Sequence, residues 1–386
     1  MSLSVKKPPY VIPSYSLTGD LLSYLTCGLQ YRYHNRGALP PSTPVQLWFG
    51  EFIHGVMEEA FLRWKTRQES FPWAWKPTVW EIEEYVDRRR LRPKGLVPPP
   101  NLFDATGRTQ RLASRRAQIA INTWGPHLFP LIETAEVKLK GVRPLNVAGI
   151  RARADYYEVQ GIVDVLTRVS LGNAASTNEI VLALERRLGK LRDYGPEFEV
   201  IVDYKGMRRP GTNQREWNQF EWQLRTYSWL RQAQPTARPV AAGIVLFLNE
   251  LEPSAEDMKA LKEELRSRGT DVTPEGDDRT AIDRWKPKAS VPPLSAALRM
   301  SRSIHVVSMS SDLITQGLTE FDRVVGQIET AVYSEVTGNG ITQAWVGTYL
   351  ASGNPEPEDR VCTACDFQPF CPILARRGKR KNPDAP

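Results

Sequence analysis

The stretch Val200-Ile201-Val202-Asp203-Tyr204-Lys205-Gly206 decides the fold. Its β-branched run predicts a strand, and strand side chains alternate. Asp203 and Lys205 therefore share one face, while Val202 and Tyr204 take the other. A carboxylate and an ammonium on a half-buried strand are costly unless they serve each other or a ligand. Upstream, Gly161-Ile162-Val163-Asp164-Val165-Leu166 sets a second acid inside an apolar strand. If the two strands pair, Asp164 and Asp203 converge. Two carboxylates with no obvious cation between them suit a hard divalent ion such as Mg²⁺. Lys205 beside such an ion would polarise a water or stabilise charge developing on phosphorus. Taken alone, the ordinary reading of Asp203 and Lys205 is an ion pair exposed on an edge strand.

Outward from this stretch, the apolar period changes at Thr134. Before it, helical spacing predicts helices over 16–33, 45–64, 80–90 and 110–133. After it, strands are predicted over 135–142, 150–169, 198–205 and 241–248, with a helix over 217–231. This order predicts a mixed α/β core over about residues 45–250. Two stretches read as insertions: 170–197, with a charged helix at 178–191, and 252–292, with a solvated helix at 256–266. A helix over 311–336 follows. Residues 1–16 read as a loosely held arm and 374–386 as a basic tail.

The 386 residues are 41% hydrophobic and 25% charged, which suits a soluble globular chain and excludes global disorder. Fifty-one basic residues against 44 acidic give +7, a balance that favours a polyanionic partner. Between residues 86 and 116, nine basic residues face two acidic ones, matching the excess of the whole chain. A solvated charged face explains such runs in general. Against a polyanionic partner, Arg88, Arg89, Arg90, Arg115 and Arg116 become candidate phosphate contacts. There is no apolar run near 18 residues and no charged leader before an apolar segment. Four cysteines are too few for a disulfide scaffold. The expectation is a reducing, cytoplasmic setting without a membrane. No phosphate-loop signature is present, so any nucleotide-driven motor would be a separate polypeptide.

Further candidates surround the two strands. In Gly50-Glu51-Phe52-Ile53-His54-Gly55-Val56-Met57-Glu58, His54 and Glu58 are i, i+4 neighbours on one helix face. Gln223 and Tyr227 have the same spacing on the helix after Lys205, with Trp222 and Trp229 nearby. A buried aromatic helix face explains them as readily as stacking surfaces for single-stranded nucleic acid. Glu136 is a further candidate acid. Cys27 stands alone, while Cys362, Cys365 and Cys371 form C-x2-C-x5-C. Thiolate ligation of a [4Fe–4S] cluster is favoured over zinc, whose ribbons use two short cysteine pairs. Joining Cys27 to the terminal trio closes a loop of over 300 residues. The cluster would then act as a rivet without need of a redox role.

In chain order, G-x-x-x-H, G-I-V-D, D-Y-K and Q-x-x-x-Y resemble the PD-(D/E)xK nuclease superfamily, specifically its RecB and AddB type. The cysteine pattern resembles the iron–sulfur branch, which includes the CRISPR-associated spacer-acquisition exonucleases and exonuclease V. The resemblance spans residues 27–371. It implies a restriction-endonuclease-like core, a mixed central sheet flanked by helices, with helical additions. It makes 1–386 a single nuclease domain, with an iron–sulfur module formed by Cys27 and residues 360–373. Asp164, Asp203 and His54 would hold Mg²⁺ or Mn²⁺, Lys205 would be catalytic, and Gln223 and Tyr227 would contact substrate or support the site. It implies a metal-dependent, single-stranded DNA exonuclease working beside a separate helicase in DNA repair or antiviral defence. The alternative is a weakly active or inactive DNA-binding subunit of a helicase–nuclease complex. One departure is the 38-residue separation of Asp164 and Asp203, longer than the family's tight hairpin. Extra loop length costs little entropy. The gap also holds Glu185, Asp193, Glu197 and Glu199 as rival second acids.

Overall fold

The computed structural model describes residues 12–36, 45–347, 361–362 and 365–372. Most of the expected arm and all of the expected basic tail lie outside them. The first half of the chain forms β1 (Ser14–Ser16), α1 (Leu22–Thr26), α2 (Gly28–Tyr31), α3 (Val45–Arg67), α4 (Trp80–Val86), α5 (Leu112–Leu128), β2 (Ile132–Pro144), β3 (Tyr156–Ser170) and α6 (Glu179–Leu188). The second half forms β4 (Glu197–Lys205), α7 (Glu216–Gln232), β5 (Val240–Phe247), α8 (Ala255–Ser267), α9 (Gly276–Arg284), α10 (Ala296–Ser303), β6 (Ile304–Ser308), α11 (Ser311–Val336) and α12 (Ile341–Ala344). These divide into two compact units. The larger comprises Thr43–Lys138 and Ile162–Ser310; the smaller comprises Met1–Ser42, Leu139–Gly161 and Ser311–Pro386.

In the larger unit, β4 runs antiparallel to β3 and parallel to β5, and β5 runs antiparallel to β6. This is an α/β arrangement with a mixed central sheet flanked by helices. The β3–β4 register pairs Val165 with Val202 and Leu166 with Ile201. Continuing it by one residue sets Asp164 opposite Asp203. β5 is buried at every position and β4 at all but its two ends. Continuous apolar runs of this kind belong to strands covered on both faces. The core joins Phe52 and Val56 of α3, Ile121 and Trp124 of α5, Val200 and Val202 of β4, and Ile244 and Leu246 of β5. α6 packs into that same core through Ile180 and Leu184. Its N-terminus is capped by the Asn178 side-chain Oδ1, which accepts from the Ile180 and Val181 N–H groups. α8, α9 and α10 enclose a second apolar cluster that includes Met258, Leu261, Ile282 and Trp285.

Two boundaries differ from the helical periodicity. The helix expected over 110–133 ends at Leu128 instead. Pro126 sits in its last turn, a tight turn follows over Phe129–Leu131, and Glu133 already belongs to β2. A proline ring clashes with the preceding turn and favours termination there. The helix expected over 16–33 is broken at Cys27, whose backbone is extended (φ −163°, ψ 112°) and separates α1 from α2. Gly28 is required just after the break, because a Cβ there would lie 2.7 Å from the Val346 carbonyl oxygen.

The smaller unit is stapled by acids of α11. Asp322 receives both Arg143 nitrogens (2.7 and 2.5 Å) and the Tyr157 hydroxyl (2.5 Å). Glu329, 1% exposed, receives Arg153 and the Tyr15 hydroxyl. Glu335 receives Arg32 and the Trp345 indole N–H. β1 runs parallel to residues 158–160 of β3 in this unit.

Candidate active site

The β3–β4 register carries the site. Directly opposed like charges destabilise an antiparallel pair unless a cation intervenes. Here the nearest cations are side chains. Lys205 Nζ lies 2.7 Å from Asp203 Oδ2, and the two residues share one face of β4 as the alternation requires. His54 Nδ1 lies 3.3 Å from Asp164 Oδ2. The same Asp164 oxygen accepts the Tyr204 N–H at 2.8 Å. His54 Nε2 donates to the Tyr204 carbonyl at 2.7 Å. That bond reserves Nδ1 for the acid side, the arrangement by which a backbone carbonyl orients a metal-ligating imidazole.

α7 closes the network from the other side of the lysine. Gln223 Oε1 accepts from Lys205 (3.0 Å), and its Nε2 donates to Asp203 Oδ1 (3.2 Å) and to the Tyr227 hydroxyl (3.0 Å). All six residues expected at a catalytic centre, His54, Asp164, Asp203, Lys205, Gln223 and Tyr227, are thus brought together. Of the rival acids, Glu197 pairs with Arg168 and Glu199 with Arg231, away from this network.

Burial dominates the titration of Asp203, and the Asp164 charge adds to it. Together they hold Asp203 above the ordinary carboxylate range against the pull of Lys205. For Asp164, burial acts upward, but the His54 charge and hydrogen bond, with the Tyr204 N–H, bring it below its ordinary value. Burial disfavours the His54 imidazolium, yet the Asp164 charge and hydrogen bond overcome this and push its pKa up to about 9. Tyr227 is raised by burial and by Asp203. A cavity of about 10 Å³, room for one water-sized guest, is lined by His54, Glu58, Glu136, Asp164 and Tyr204, among others. Glu136 holds a left-handed backbone (φ 54°), and burial, Asp164 and Glu58 raise its carboxyl.

The donor set fits a hard divalent ion. Two opposed acid side chains, one with an oxygen (Asp203 Oδ2) that accepts no well-aligned hydrogen bond, stand beside an imidazole oriented by a carbonyl. Among the described residues no group of three or more His, Cys, Asp or Glu side chains forms a ready-made metal shell. Lys205 and His54 are the cationic groups that lie against the two carboxylates.

The expected phosphate contacts divide. Arg89 is exposed, and Arg88 is exposed while pairing with Glu84 at 2.8 Å. Arg90 is held by Glu58 and Glu59, and Arg115 by Glu252 at 3.1 Å. Arg116 is buried, pairs with Asp257 at 2.6 Å and donates to the Glu252 carbonyl, so it serves internal packing rather than a surface. The basic stretch therefore presents less free charge than its residue count implies.

None of the four cysteines is in a disulfide, and all are half-buried. Burial raises the Cys365 thiol, the Phe367 N–H opposes this, and the neighbouring Cys27 and Cys371 sulfurs add to the rise. Phe367 packs its ring against Tyr33 (5.0 Å) and His34 (4.6 Å), which anchors the terminal cysteines beside the Cys27 break. Cys27 and Cys371 lie near enough to Cys365 to act on its thiol, but among the described residues the cysteines do not form a ready-made metal-binding group. Sequence reasoning missed Phe220, whose ring centre lies 5.2 Å from Lys205 Nζ. Its only signal was its place one helical turn before Gln223.

No protein-family model matches the chain, and no curated protein matches it. Among the described residues, no helix is long and apolar enough to cross a membrane.

Proposed function

We propose that the chain is a metal-dependent DNA nuclease of the PD-(D/E)xK type. The supporting observation is the strand register that opposes Asp164 to Asp203 across 38 intervening residues, with Lys205 paired to Asp203 and hydrogen-bonded to Gln223. Asp164, Asp203 and His54 would hold Mg²⁺ or Mn²⁺. Such an ion supplies a Lewis acid for the phosphoryl oxygen and an activated water. Lys205 places positive charge where the pentavalent phosphorus gains negative charge, in a site that excludes bulk water. Gln223 fixes Lys205 and Asp203 at once, and Tyr227 fixes Gln223. His54 keeps its Nδ1 toward Asp164 through its bond to the Tyr204 carbonyl.

The resemblance extends the proposal to single-stranded DNA, exonucleolytic cleavage, a separate helicase partner and a [4Fe–4S] cluster on Cys27, Cys362, Cys365 and Cys371. It also suggests a cytoplasmic setting in DNA repair or antiviral defence. The test is incubation of the purified protein with end-labelled single- and double-stranded DNA plus Mg²⁺ or Mn²⁺, beside Asp203→Ala. Metal-dependent shortening of single strands by the wild type alone supports the reading. Equal behaviour of the two proteins rejects cleavage and leaves a DNA-binding subunit.

A further inference from the structure

Lys205 has three N–H donors on a flexible four-carbon stem. One donates to Gln223 Oε1 at 3.0 Å, and the ammonium stands in an ion pair with Asp203 Oδ2 at 2.7 Å. The ammonium also lies 5.2 Å from the centre of the Phe220 ring, within the range of a cation–π contact. Phe220 is itself buried, 8% exposed, while the Lys205 side chain is 19% exposed. Its ring packs on Phe247 at 5.8 Å and on Trp217 at 6.5 Å, and those two lie 5.6 Å apart.

The same two rings carry a second cation, Arg209, at 5.0 Å from Trp217 and 5.7 Å from Phe247. Arg209 is 3% exposed and fixed on every side. Its N–H donates to Glu250 (2.7 Å) and its Nε to Asp271 (2.8 Å), while its Nη1 reaches the Arg302 and Ile304 carbonyls at 3.1 and 2.9 Å. A tethered cation therefore steadies an aromatic wedge whose remaining ring meets Lys205. We propose that Phe220 is a positioning residue for Lys205, holding the ammonium between Asp203 and Gln223. Its consequence for rate rests on the nuclease reading; its effect on the lysine does not.

Two measurements separate these. In the first, the metal-free protein without DNA is treated with formaldehyde and cyanoborohydride, and methylation of Lys205 is followed by peptide mass spectrometry. Phe220→Leu is expected to be methylated about tenfold faster than wild type, with Phe220→Tyr close to wild type. Equal rates for wild type and Phe220→Leu overturn the proposal, and Phe220→Met takes the place of the leucine variant if the latter does not fold. In the second, Mg²⁺-dependent DNA cleavage by Phe220→Leu should lose about tenfold in kcat, ~1.4 kcal/mol, at unchanged KM, and Phe220→Tyr should recover it. A kcat equal to wild type in Phe220→Leu also overturns it. A wild-type protein that cuts no DNA refutes the nuclease reading, and the methylation rates then decide the placement of Lys205 alone.

Discussion

The carboxylate site of the larger unit and the cysteine locale of the smaller one are assembled by opposite means. The first is a product of regularity: a strand register, a period of two along β4 and an i, i+4 pair on α7 place each group. The second is a product of interruption: Cys27 lies at a helix break that Gly28 permits, and Phe367 packs its loop onto Tyr33 and His34. Groups on regular elements are held rigidly by their ladders. Groups at breaks depend on whatever ties the loops together, so a ligand bound there contributes to folding itself.

That contrast makes the cysteines the larger stability lever. Cys27→Ala should cost soluble yield and thermal stability together with any brown colour, by up to about 5 kcal/mol if a cluster closes the loop. A variant with unchanged melting temperature and solubility would break the comparison. Asp203→Asn should do the reverse, keeping the fold while lowering kcat for DNA hydrolysis by on the order of 10³. Comparable loss of melting temperature in this variant would show that the acids serve stability instead.

A solitary buried acid sharpens the point. Glu83 is fully buried, accepts from Ser114 (2.8 Å) and Trp75 (3.2 Å), and leaves Oε1 without a partner. Burial pushes its pKa from 4.5 up to about 7, against the pull of those two bonds. A raised folded-state pKa means its contribution is full below pH 4.5 and is lost as pH rises through about 7. Glu83→Gln should therefore gain on the wild type between pH 5 and pH 8, by up to about 3 kcal/mol in urea unfolding. A constant difference across that window would contradict the assignment. The smallest effect is expected at the surface. Arg89→Ala should reduce the salt slope of DNA binding by about 1, whereas Arg116→Ala should lower stability and leave the slope unchanged.

Much of this was legible from periodicity. The expected strands over 198–205 and 241–248 match β4 and β5 to within a residue, and the helix over 311–336 matches α11. Long, strongly patterned segments carry their own signal. The six catalytic candidates were legible as motifs, but the register bringing Asp164 to Asp203 was not, since α6 and its turns intervene. β1, with three residues, and β6, directly following α10, are defined by their partners rather than by any local pattern. The burial of Arg116 was hidden for a similar reason: its partner Asp257 lies 141 residues away. Phe220 was missed, because a cation–π contact depends on where the lysine lies.

The most direct measurement is Mn²⁺ titration followed by electron paramagnetic resonance, comparing wild type with Asp164→Asn and Asp203→Asn. Opposed carboxylates that hold a shared ion predict a site in the wild type that either substitution abolishes. Equal Mn²⁺ binding by all three proteins would contradict it.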